Sequence, residues 1–94
     1  IPKPAGEVGR PGRGGYNLRT ALSWSDSKYN KIKTYINDIV EDELDCWVPF
    51  SEQPLRNLEV VRDKARKRYA ILGQYRNDWA TDDFIRTRLK YRKS

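Results

Sequence analysis

The chain has 94 residues, 37% hydrophobic and 34% charged, with a net charge of +6. That length holds one small domain with a lean core, and an aromatic content of 12% with three tryptophans excludes a wholly disordered chain. A single cysteine and no histidine exclude an internal disulfide, a zinc constellation and the Ser–His–Asp or Cys–His catalytic sets.

Residues 1–15 read as a flexible basic arm. Pro2, Pro4 and Pro11, with Gly6, Gly9, Gly12, Gly14 and Gly15, oppose both helix and strand. A single helical domain is expected over residues 16–94. The absence of methionine, the initiator included, points to a piece of a longer protein.

The predicted fold is all-α, a small bundle of three main helices plus one short helix. The short one covers Leu18–Leu22, capped by Asn17. The next starts at Ser25, a good N-cap, with Asp26 in the first turn where the helix dipole favours an acid. Trp24 and Tyr29 stand at hydrophobic-staple spacing around that cap. Tyr29, Ile32, Ile36, Val40 and Leu44 form one stripe at helical spacing, which carries this helix to about Leu44. The third helix is placed from a Ser51 cap, with Phe50 and Leu55 as a second staple and Pro54 in the first turn. Leu58, Val61, Ala65, Tyr69 and Leu72 make its buried face, and Gly73 its exit. A loop over "GQYRNDWA" presents Trp79 as the plug of the bundle. The last helix is expected from a Thr81 cap, with Asp82 and Asp83 in its first turn and Phe84, Ile85 and Leu89 facing the core. Trp24 is expected to be buried with these residues.

Charge is unevenly placed: +2 over residues 1–15, −2 over 16–50 and +6 over 51–94. Basic ends suggest a polyanionic partner, most simply nucleic acid. Arg10 and Arg13 sit in the arm. Arg86, Lys90 and Lys93 recur at i, i+4 and i+7 on the last helix, flanked by Arg88 and Arg92, a pattern that suits contact with phosphates. "RDKARKRY" (Arg62–Tyr69) reads as structural first and phosphate-binding second, because Asp63–Lys67 and Glu59–Arg62 stand at helical pairing distances. "EDELD" (Glu41–Asp45) lies at a helix C-terminus and should answer cations on neighbouring helices, or dock a basic partner. Cys46 is expected to be buried and inert, in a reducing compartment. No apolar run spans a membrane and no phosphate-loop motif occurs, so neither a membrane partner, a cofactor, a metal nor an enzymatic activity is expected.

"GRP" (Gly9–Pro11) is similar to the centre of an AT-hook, a family whose Arg-Gly-Arg-Pro core lies in the A·T minor groove; Val8 stands where the first core arginine belongs. A narrow, negative groove admits a slim glycine backbone bearing arginines. Taken together, "GRPGRGGYNL", "ALSWSDSKYN", "ELD" and "DWATDDFIRTRLKYRKS" resemble a helical domain of proteins from mushroom-forming fungi. That family carries no established activity, so the resemblance implies only that the arm belongs to the domain. The expected function is a nuclear module binding double-stranded DNA, with Arg10 and Arg13 in a groove and Arg86, Arg88, Lys90, Arg92 and Lys93 on phosphates or in the major groove. Duplex is favoured over RNA because no solvent-facing aromatic platform is evident. The alternative is a protein-interaction module that docks on an acidic protein or chromatin surface or self-associates, with Tyr35 and Tyr91 as exposed contacts.

Overall fold

The computed structural model describes residues 1–4 and 17–93, with side chains as far as Leu89. The chain forms four α-helices: α1 (Leu18–Leu22), α2 (Asp26–Glu43), α3 (Leu55–Arg68) and α4 (Trp79–Lys93). No strand occurs among the described residues. The fold is therefore all-α, with three main helices and one short one.

The first two helices start where their caps require. The Asn17 side chain accepts from the Thr20 amide at 3.2 Å, and the Ser25 hydroxyl accepts from the Lys28 amide at 3.2 Å. Each satisfies an amide that the first helical turn leaves without a partner. The stripe on α2 is buried as its spacing demands, with Ile32, Ile36 and Val40 wholly enclosed. α2 packs against both α3 and α4, α3 also meets α4, and α1 lies on α4. Leu58, Val61 and Ala65 of α3 and Phe84, Ile85 and Leu89 of α4 complete the core.

Trp24 is only half-buried, because it lies over the core as a lid. Its ring stacks on Phe84 at 6.1 Å and meets Tyr75 edge-on at 6.2 Å. Tyr29 contacts the same Phe84 at 5.4 Å, so the expected staple runs through a ring of α4.

Three helix boundaries differ from expectation. α3 begins at Leu55, not after Ser51; Phe50–Glu52 is a separate 3₁₀ turn. Proline drives the residue before it out of the helical region, and Gln53 is accordingly extended (φ −74°, ψ 140°). Leu55 is left 66% exposed, so the second staple does not form. α3 then ends at Arg68, with Tyr69 extended. A 3₁₀ turn over Ala70–Gln74 brings Leu72 fully into the core, and Gly73 is not the helix exit. Finally, α4 starts at Trp79, two residues ahead of the expected Thr81 cap. Asn77 (φ 54°) and Asp78 (φ 59°) turn the chain left-handed there, a conformation these two residue types tolerate better than most. Thr81 is thereby enclosed inside the helix, and its hydroxyl has no hydrogen-bond partner among the described residues.

The start of the chain is tied to this corner. The Ile1 nitrogen donates to the Gln74 carbonyl at 2.7 Å, and the Ile1 carbonyl accepts from the Arg76 amide and the Trp79 indole N–H, both at 2.9 Å. Of the arm expected over residues 1–15, the first residue is thus hydrogen-bonded to the bundle, and residues 5–15 lie outside the described residues. Buried Trp79 needs an acceptor for its N–H, and Ile1 supplies one. Arg10 and Arg13 lie outside the described residues.

Candidate nucleic-acid interface

The cations of the bundle divide into those that acids hold and those that they do not. Arg62 of α3 grips Asp82 of α4 with two bonds, Nε to Oδ1 at 2.8 Å and Nη2 to Oδ2 at 2.9 Å. Arg66 reaches Asp78 at 2.8 Å, and Lys67 meets Asp63 at 3.0 Å. Hydrogen bonding to Asp82 and Asp78 raises Arg62 and Arg66 above their ordinary pKa, and a hydrogen bond to Glu43 raises Lys64 likewise. As expected, acids in the last turn of α2 answer cations on its neighbours, Glu43 with Lys64 and Glu41 with Arg88.

The basic face expected on α4 is partly consumed by such pairs. Arg86 Nη1 donates to the fully buried Asp83 carboxylate at 2.9 Å, and its guanidinium lies 4.3 Å above the Phe50 ring. Arg88 donates to Glu41 through Nε at 3.1 Å. Both side chains are half-buried; the first pair lies within α4 and the second joins α4 to α2. The side chains of Lys90, Tyr91, Arg92 and Lys93 lie outside the described residues.

A different cleft carries unneutralised charge. α2 contributes Asn30, Lys31 and Thr34 from the side away from its buried stripe, and the end of α3 contributes Arg68 and Tyr69. The cleft is open, with a volume of about 490 Å³. Lys31 and Arg68 form no ion pair among the described residues, and no carboxylate lines the cleft. A second cleft of the same volume on α3, lined by Arg56, Glu59, Val60, Asp63 and Arg66, balances its two arginines with two carboxylates.

Arg68 is set in place by aromatic rings. Its guanidinium carbon lies 4.6 Å from the Tyr69 centroid and 6.0 Å from that of Tyr35. Tyr35 and Tyr69 meet edge-on at 5.7 Å. Tyr35 is thus half-buried support for the cleft and not the exposed contact expected of it. A guanidinium resting on an aromatic face keeps its N–H fork available for an oxyanion. With the Lys31 ammonium, the Thr34 hydroxyl and the Asn30 amide beside it, the cleft offers donors suited to a phosphate.

Sequence reasoning on "RDKARKRY" accounts for Arg62 and Lys67 and misses Arg66 and Arg68. A usable signal was present. Arg62, Arg66, Lys67 and Arg86 each have an acid three or four residues before them, whereas Arg68 and Lys31 have none within four residues on either side.

The chain matches no protein-family model, no curated protein and no solved structure. Among the described residues no helix is long and apolar enough to cross a membrane, and no cluster of acids and cysteine is grouped to hold a metal ion.

Among the described residues, one aromatic side chain faces solvent. Trp47 is 74% exposed, on the acidic side of the molecule. Cys46 beside it is half-buried, with its thiol 3.9 Å from Glu41.

Proposed function

We propose that this chain is a nucleic-acid-binding module that holds double-stranded DNA by its phosphates, with Lys31 and Arg68 as the central contacts. The observation that carries this reading is the acid-free cleft: two cations without counter-ions among the described residues, one braced on tyrosine, in a chain of net charge +6. Phosphates supply the missing anions, and release of condensed counter-ions drives the association. Arg10 and Arg13 extend the contact into a groove, and Lys90, Arg92 and Lys93 add phosphate contacts from the end of α4. Such a module works in the nucleus, in transcription or on chromatin.

Duplex is favoured over single strands by the way the cleft uses its aromatics. Tyr69 has Arg68 over its face and Tyr35 at its edge, so its ring braces a cation instead of offering a platform for an unstacked base.

The test is fluorescence anisotropy with a mixed-sequence duplex over a range of salt. Affinity should fall steeply with salt, with a log–log slope of about −0.9 per phosphate contact. Absence of binding at low salt overturns the reading. Trp47 favours a second reading, a protein-interaction module, in which the acidic side of the same domain engages a protein.

A further inference from the structure

The Lys31–Arg68 cleft is one end of a longer acid-free side. Residues 27–37 of α2 contain no aspartate or glutamate, and neither do residues 64–77, from the end of α3 through the turns that follow. Packing brings the two stretches together. Tyr35 meets Tyr69 at 5.7 Å, and Trp24, just ahead of α2, meets Tyr75 at 6.2 Å. The one acid at this end of α2, Asp26, is paired with Arg19 of α1.

Lys28 belongs to this side. It stands one helical turn before Lys31, has no acid three or four residues away, and forms no ion pair among the described residues. Its ammonium lies 5.2 Å from the centroid of the Trp24 ring, as the Arg68 guanidinium lies on Tyr69. Both cations are held by uncharged rings, which position them without cancelling their charge. Arg68 also lies 6.0 Å from the Tyr35 ring, one turn beyond Lys31. Lys28, Lys31 and Arg68 thus follow one flank of α2 in that order. With a rise of ~1.5 Å per residue, positions 28 to 35 span about 10 Å.

We propose that this flank is a track for successive phosphates of one DNA strand, with Lys28 as a third contact beside Lys31 and Arg68. The inference rests on the duplex reading and extends it to the path of the bound backbone. Each strand carries one charge per ~3.4 Å of helix axis, so the row of cations spans about three phosphate steps. α2 then lies alongside the backbone. Lys33, on the same helix, carries the same charge but is turned about 140° from Lys28, off the track.

The experiment measures anisotropy of a mixed-sequence duplex with the full chain over a range of salt, for the parent, Lys28→Gln, Lys28→Arg and Lys33→Gln, each checked for folding by its melting curve. Lys28→Gln removes the charge and keeps most of the stem over Trp24. It should weaken binding at low salt and reduce the log–log slope by about 0.9, the share of one phosphate. Lys28→Arg should restore both. Lys33→Gln makes the same change in net charge and should leave the slope as it is in the parent. Equal losses in Lys28→Gln and Lys33→Gln overturn the track, because binding then senses only net charge. An unchanged slope in Lys28→Gln overturns it too, and a reduced slope in Lys31→Ala with Arg68→Ala would leave the duplex reading standing. If the parent binds no duplex at low salt, the duplex reading and the track fall together.

Discussion

Arg62 and Asp82 form a two-pronged ion pair between α3 and α4, at 2.8 and 2.9 Å, with both side chains largely enclosed. Removing one partner leaves the other charge buried and uncompensated. Arg62→Ala should therefore cost about 3–5 kcal/mol in urea unfolding, a large part of the stability of a domain this size. Arg62→Met with Asp82→Leu should recover much of that loss, because the pair together gains little over a well-packed apolar contact. Recovery no greater than in either single variant refutes the account.

Thr81 offers a test of opposite sign. As an N-cap, Thr81→Val would cost about 1 kcal/mol. As a buried hydroxyl without a partner, it should stabilise the fold by about 1 kcal/mol on removal, since valine keeps the shape and sheds the desolvated group. A lowered urea midpoint in Thr81→Val contradicts the observed start of α4.

Two leucines on one helix should behave differently. Leu58 is 6% exposed and Leu55 66%. Leu58→Ala should cost about 2–5 kcal/mol, and Leu55→Ala within about 0.5 kcal/mol of zero. Comparable losses would restore the staple between Phe50 and Leu55.

The Ile1 carbonyl and the Trp79 indole form a hydrogen bond across nearly the whole chain. Trp79→Phe keeps the ring and removes the donor, so it should cost about 1 kcal/mol or more. Deleting residues 1–4 should also destabilise, and the two changes together should cost less than their sum, because they remove one shared contact. A full arm deletion that leaves the melting temperature untouched refutes the anchoring of Ile1.

Affinity and stability should separate across the arginines. Lys31→Ala with Arg68→Ala should weaken duplex binding and reduce the salt slope by about 1.8 on the two-contact count, with little change in melting. Arg88→Ala and Arg86→Ala should act first on stability, because each removes a cation paired with Glu41 or with buried Asp83. The reverse pattern moves the interface to α4.

Local signals in the sequence determined the all-α class, both N-caps at Asn17 and Ser25, the buried stripe of α2 and the core-facing side of α4. Each depends on spacing or on residues within one helical turn, so nearest neighbours suffice to specify it. The reach of Pro54 over Gln53 was equally local, yet it competed with a plausible staple, and the geometry of proline prevailed. Tertiary structure alone decided the rest. Whether Arg62 or Arg88 remains open to a ligand depends on acids brought from other elements: Asp82 lies twenty residues from Arg62, and Glu41 forty-seven from Arg88. The Ile1 anchor and the enclosure of Thr81 likewise arise where distant segments meet. A charge pattern along the chain records where cations are. Which of them still lack a partner is settled by packing, since an ion pair needs only a few ångströms of space and no particular distance in sequence.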